Sequence, residues 1–314
     1  MAKTCVFLGE ALAAYGFPGG HPFSTARHIA YQEALQDRGL LGACCIREPH
    51  QATVDQLSLF HHREYIERVQ HQSDSGHGYL DAGDTPAFPG VYEAAATVAG
   101  TTVAAVDAIL GGDCRHAFVP IAGLHHARRN GASGFCVFND IGVAIEHLFS
   151  THALESVLYV DIDAHHGDGV FYSYVDDERV IFLDFHQHSA TLYPGTGKAE
   201  EIGTGGAQGK KLNIELLPQC RDEAFFEQWS RAREFIDRFR PQFVLLQCGV
   251  DSLRGDPITD LYLSEGAHRF VTEELIGYAE QHCSGRLLAL GGGGYNLENI
   301  SNGWTAVTES MLNA

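Results

Sequence analysis

A single α/β domain built on a parallel sheet is what this 314-residue sequence predicts, and three features carry the prediction. Short aliphatic and β-branched runs recur along the chain, as at 157–160 and 243–250, and such runs suit strands buried on both faces. Stretches with apolar residues at helical spacing alternate with them, and a repeated strand-then-helix order gives parallel pairing. No shift in composition marks a linker, so residues 1–314 are taken as one domain.

In chain order, residues 4–8 predict a first strand, followed by the loop AYGFPGGHPF, whose glycines and prolines place it at a rim. Residues 24–39 predict a helix with Ile29, Ala30 and Leu35 inward. Arg27 lies at its start, where a cation opposes the helix dipole, so either a carboxylate neutralises it or it serves an internal site. Residues 51–70 give a second helical pattern, in which the adjacent His61 and His62 are expected to face solvent. A turn-rich loop then carries Asp81 and Asp84, and an Ala-rich core helix from Val91 stops at Gly111-Gly112. Glu93, Gly100, Thr101, Thr102 and Asp107 interrupt that stretch, so no membrane span is expected.

Residues 117–122 predict a strand running into GLHHARRNGASGFCVFND, and residues 139–150 a helix burying Ile141, Ile145 and Leu148. Further strands are expected at 157–161, 180–186, 213–217, 243–250 and 286–290, with helices at 222–240, capped by Asp222, and 261–281. Tyr193 and Pro194 lie in a Gly-rich loop and either wall a pocket or pack as a turn.

Charge and cysteine usage narrow the partners. With 40 acidic and 21 basic residues the formal net charge is −19, which disfavours a nucleic-acid backbone and suits a cationic substrate or basic peptide. The eight cysteines include no C-x-x-C pair and read as reduced thiols of a cytoplasmic protein. The N-terminal MAKTCVFLGE has too short an apolar run for a signal peptide and reads as the lead-in to the first strand.

Chemistry concentrates where strands end. Asp161, Asp163, His165, His166 and Asp168 follow the run VLYV within eight residues, and side-chain alternation sends Asp163 and His165 to the same side. His125 and His126, Asp251 and Tyr295 each lie just beyond another predicted strand. Open parallel sheets gather such ends on one rim, where Asp163, His165 and Asp251 complete a three-ligand site for zinc with a position left for water or substrate. His125 and His126 supply proton transfer, Asp161 and Asp168 are the carboxylates placed to orient their rings, and Tyr295 is a neutral donor for a developing oxyanion. Those parts meet the needs of amide hydrolysis.

GLHHA through GFCVFND, DIDAHHGDGV, YPGTG, GVDSLRGDP and GGGGYN, in that order, resemble the zinc-dependent histone deacetylase superfamily, and most of all its bacterial acetoin-utilisation type. The resemblance runs from the YGFPGGHPF loop to Tyr295. It implies an arginase-like fold with an eight-stranded parallel sheet and helices on both faces, and zinc on Asp163, His165 and Asp251. It further implies His125 paired with Asp161, and His126 paired with Asp168 and acting as general base, with Tyr295 polarising the acyl carbonyl. Gly134 and Phe135 match positions beside an acyl-lysine tunnel, with Tyr193 opposite. Asp84 matches a rim aspartate that grips substrate backbone, and Arg27 an arginine of an internal acetate channel. Relatives hold potassium beneath the zinc with a serine. That position reads Asp184 here, so a carboxylate either strengthens cation binding or replaces it.

Acylated lysine on proteins or peptides is therefore the expected substrate, and acetylated polyamines are the alternative. Polyamine-selective relatives resemble one another in a carboxylate at the tunnel mouth, and the matching residue here is Ile258. A binuclear manganese ureohydrolase would need a second acid where Asp251 is followed by Ser252 and Leu253, and a non-catalytic module would lack a ligand or the tyrosine.

Overall fold

Buried aliphatic runs build the sheet. In a computed structural model that describes residues 4–314, the strands are β1 (Thr4–Phe7), β2 (Cys45–Arg47), β3 (His116–Val119), β4 (Val157–Asp161), β5 (Val180–Gln187), β6 (Lys211–Leu216), β7 (Val244–Gln247) and β8 (Leu287–Leu290). They form one sheet of eight strands in the order β2-β1-β3-β8-β7-β4-β5-β6, parallel throughout. The first three residues of the predicted lead-in to β1 lie outside the described residues.

Strand order decides where the chemistry falls. β3, β8, β7 and β4 are consecutive in the sheet although far apart in sequence, because the chain leaves β3 for β4 and returns later to fill the gap with β7 and β8. Their C-terminal ends therefore share one edge at a reversal of strand order, where α/β sheets bind ligands.

The helices are α1 (Glu10–Ala13), α2 (Ala26–Asp37), α3 (Val54–Leu57), α4 (Arg63–Ser75), α5 (Val91–Leu110), α6 (Asp140–Ser150), α7 (Asp168–Ser173), α8 (Asp222–Ile236), α9 (Glu265–His282) and α10 (Leu297–Leu312). α2, α8, α9 and α10 pack together on one face, while α4, α5 and α6 cover the other. All residues of β1, β3, β4, β5, β7 and β8 are buried. That double coverage is why they read as continuous apolar runs.

Four expectations need correction. Leu35 is buried as expected and Ala30 partly so, but Ile29 is exposed, and α2 buries Arg27, His28 and Tyr31 in its place, with Tyr31 hydrogen-bonded to Thr308 at 2.7 Å. Polar groups with internal partners take the inward face there, which hides the apolar period. His61 is buried rather than solvent-facing and accepts from the Asn139 amide at 2.9 Å. Arg221, not Asp222, occupies the N-cap of α8; the Asp222 carboxylate accepts from the Ser264 amide at 2.8 Å and ties α8 to the start of α9. Finally, α5 is long and apolar enough to cross a membrane by length and composition, contrary to expectation, yet most of it is buried inside the fold as a core helix.

Candidate active site

Three donors converge beneath the shared edge. Asp163 and His165 follow β4, and Asp251 follows β7, the neighbouring strand. His165 Nδ1 lies 3.0 Å from Asp163 Oδ1 and 3.2 Å from Asp251 Oδ2, and all three residues are buried. The remaining oxygens are tied back. Asp163 Oδ2 accepts from Gln247 Nε2 and the Gly293 amide, both at 2.8 Å, and Asp251 Oδ1 accepts from the Ala164 amide at 2.9 Å. One oxygen of each carboxylate is thus left facing the imidazole. Gly249 and Gly293 make the approach possible, since a Cβ on either would run into Asp163 Oδ2 or Asp251 Oδ2.

The charge balance of this cluster suits a cation. Burial, followed by the neighbouring Asp163 charge, pushes Asp251 up to about 7. Burial opposes charge on His165 as well, but its bonds to Asp163 and Asp251 hold it up at about 10. Two buried carboxylates around one imidazole are costly without a counter-cation. Donor atoms lying within 4.8 Å of one another in an O, N, O set fit a divalent first-row ion.

Two histidine–carboxylate pairs stand beside the cluster, brought there by the end of β3. His125 Nδ1 donates to Asp161 Oδ2 at 2.8 Å, and His126 Nδ1 to Asp168 Oδ1 at 2.7 Å. The Nε2 atoms of the two rings are 3.1 Å apart. Their environments push them in opposite directions. Burial disfavours charge on His125, but Asp161 and Asp163 outweigh it and hold the ring up at about 9. Burial and then the charge of His125 hold His126 down at about 4.

Above them lies a cavity of about 310 Å³ that reaches the surface, with Gly134, Phe135, Tyr193 and Tyr295 among its walls and Asp84 and Ile258 at its lining. Phe135 and Tyr295 meet edge to face with centroids 5.8 Å apart, and the Tyr193 ring packs edge-on to His126 at 5.1 Å. Phe135 has φ 67, a strained conformation for a residue with a Cβ, and its amide is held by Thr85 Oγ1 at 3.1 Å. At the rim, burial and the neighbouring Asp81 push Asp84 up to about 7.

Arg27 is buried beneath the glycine loop. It donates through Nε to the Gly294 carbonyl at 2.8 Å and through a terminal nitrogen to the Gly292 carbonyl at 2.5 Å, and it stacks on Phe23 at 3.9 Å. No carboxylate neutralises it in these contacts, and its other terminal nitrogen has no hydrogen-bond partner among the described residues. Both oxygens of Asp184 hold a partner: one accepts from His186 Nδ1 at 2.6 Å and the other from the Gly167 amide at 2.9 Å. Each oxygen keeps a second lone pair, so the pairing with His186 is compatible with a cation beside it.

Comparison with known proteins agrees with this arrangement. The model of the histone deacetylase domain matches residues 21–311. This chain belongs to the histone deacetylase family. It is 35% identical to the acetoin utilization protein AcuC of Bacillus subtilis over 96% of this chain and 79% of that protein. It is 32% identical to the histone deacetylase HDAC1 of Drosophila melanogaster over 99% of this chain and 60% of that protein. The crystal structure of the HDA15 HD domain superposes with a TM-score of 0.90 at 28% identity, covering 99% of this chain and 88% of that one. The family and the fold make the chain a hydrolase of the deacetylase class on an arginase-like α/β scaffold.

Gln247 escapes a motif reading, and Asp140 and Asp256 lie within GFCVFND and GVDSLRGDP without a role that the motifs assign. Gln247 lies inside β7, yet it orients Asp163 and accepts from the Gly249 amide at 2.7 Å. Asp256 accepts from the Tyr295 amide at 2.7 Å and the Ile258 amide at 3.0 Å. Asp140 accepts from the Leu124 amide at 2.8 Å, just before the histidine pair. A glutamine in an otherwise apolar strand, and an acid at the head of an apolar helix, were the available signals.

Proposed function

We propose that this chain is a zinc-dependent deacylase that removes acetyl or related acyl groups from lysine side chains of proteins and peptides. The observation that carries the reading is a narrow aromatic-walled cavity ending on Asp163, His165 and Asp251, with both histidine pairs and Tyr295 around the same floor. Zinc held there supplies a Lewis acid at the buried end of the cavity. His126, kept neutral by burial and by His125, takes the proton of the attacking water at Nε2, while Asp168 fixes the tautomer. His125, held protonated by Asp161, stabilises negative charge and supplies a proton toward the leaving lysine amine. Burial keeps the Tyr295 phenol protonated, so it donates to the developing oxyanion.

Gly134, Phe135 and Tyr193 bind the aliphatic part of the lysine by excluding water, and Asp84 accepts from substrate backbone at the mouth. Arg27, with its unpartnered nitrogen, receives the acetate product. Cytoplasmic location is in keeping with the eight free thiols.

Acetylated polyamines are the second reading, favoured by the net charge of −19. At the mouth, however, Ile258 presents an apolar side chain where a distal amine would need an acid. Comparison of kcat/KM for acetyl-lysine peptides, longer acyl-lysines and acetylputrescine on zinc-loaded enzyme tests the choice. Peptides are expected to lead, and a large preference for acetylputrescine reverses the ranking.

A further inference from the structure

Away from the sheet edge, the ends of α5 and α6 gather a second set of histidine and carboxylate groups. Asp107 lies in the last turn of α5, His147 in the last turn of α6, and His152 two residues beyond that helix. Both imidazoles aim Nε2 at one oxygen, Asp107 Oδ1, from 2.8 Å for His147 and 2.7 Å for His152. The rings meet edge to face with centroids 5.0 Å apart, so their nitrogens converge without stacking. Side-chain exposure is 8% for His147, 26% for His152 and 51% for Asp107, which makes the rings a wall and leaves the carboxylate open to water. It opens on a groove of about 800 Å³ that Arg47, His50 and Asp113 also line.

We propose that Asp107, His147 and His152 form a second divalent-metal site, for zinc or a similar nitrogen-seeking ion. Both imidazoles meet a single carboxylate oxygen here, and one ion can accept a lone pair from each of the three groups. Zinc bonds to nitrogen and oxygen are about 2.0–2.2 Å, which puts tetrahedral donors about 3.3 Å apart. The carboxylate needs to part from each imidazole by only about half an ångström, and its exposure gives it room to do so, with the three donor atoms already within 4.8 Å of one another. Remaining coordination positions face the groove and take water. Two imidazoles with one carboxylate favour zinc, copper or nickel over magnesium or calcium.

The position gives such an ion a structural task. The opposite end of α6 carries Asn139 and Asp140, which hold the backbone around His125 and His126: Asn139 Nδ2 donates to the Ala127 carbonyl at 2.9 Å, and Asp140 accepts from Leu124. An ion joining α6 to α5 therefore anchors the helix that frames the proton-transfer pair. The inference goes beyond the deacylase reading and does not depend on the substrate.

Counting zinc bound by metal-free full-length protein after equilibrium dialysis tests it. Wild type is expected to bind two ions per chain, His152→Ala one, Asp251→Asn one and the double variant none. Asp107→Asn keeps an oxygen acceptor for both rings but loses the charge, and is expected to bind the second ion at least tenfold more weakly. In the Asp251→Asn background, zinc should raise the melting temperature, and adding His152→Ala should abolish the rise. One ion per wild-type chain, or two retained by His152→Ala, overturns the site. Either result leaves the catalytic reading to its own peptide assay.

Discussion

Histidine meets aspartate in two very different settings in this protein. On the floor of the cavity, the Asp163 and Asp251 oxygens that do not face the centre are tied to Gln247, Gly293 and Ala164, and glycines stand wherever a Cβ would intrude. At the ends of α5 and α6, the two histidines themselves hold Asp107, which is half exposed. The first arrangement is rigid before any ligand arrives, and the second adapts. Catalysis needs the former because a misplaced donor costs rate, whereas a stabilising ion tolerates the latter.

The largest break in that contrast should come from Asp251→Asn. Turnover of an acetyl-lysine peptide is expected to fall on the order of 10³-fold or more, with the floor ion lost and the fold retained. Near-normal turnover would remove Asp251 from the metal set. Tyr295→Phe should keep the floor ion and lower kcat by about 10²–10³; a drop confined to KM would assign the phenol to binding instead. Gln247→Ala tests the outer support and is expected to weaken zinc at the floor by about 10–100-fold, read by chelator competition. Unchanged affinity would mean that the Gly293 amide orients Asp163 alone.

His61 sharpens the comparison as a buried histidine without a carboxylate. Burial holds it down to about 3, well below the ordinary imidazole value of 6.5, so it is neutral in the fold and binds a proton on unfolding below pH 6.5. The unfolded state then carries more protons, and stability falls as pH drops below that value, by up to ~1.4 kcal/mol per pH unit. His61→Gln should flatten this loss between pH 6.5 and 5 in urea unfolding, and an unaltered slope would place the titration elsewhere. The smallest effect is expected from Asp107→Asn in metal-free protein, about 0.5 kcal/mol or less at neutral pH, as for an exposed side chain. A loss several times larger would show that the helix ends depend on the hydrogen bonds alone.

What could be seen in the sequence follows the same division between rigid and adaptable parts. Strands buried on both faces announced themselves as unbroken apolar runs, and Asp163-x-His165 at the end of one of them could be placed on one side by alternation alone. β2 could not be seen: at a sheet edge, Ile46 is exposed between the half-buried Cys45 and Arg47, and three residues carry no period. α10 was also missed, because its inward face mixes Asn299, Gly303, Thr305 and Thr308 with Ile300, Trp304 and Met311. Gln247 was invisible for another reason. Its importance lies in what touches it across the sheet, and no local spacing reports that.

The Val91–Leu110 helix has a consequence for the chain's early life. During synthesis it emerges before α6 and β8, two of the elements that later pack against it, have been made. For that interval the growing polypeptide displays a segment that a lipid bilayer or a chaperone would welcome, and only completion of the molecule withdraws the invitation. Ribosome-bound chains halted near residue 150, with α5 clear of the exit tunnel, should therefore be captured by hydrophobic-surface dyes, and released full-length chains should not.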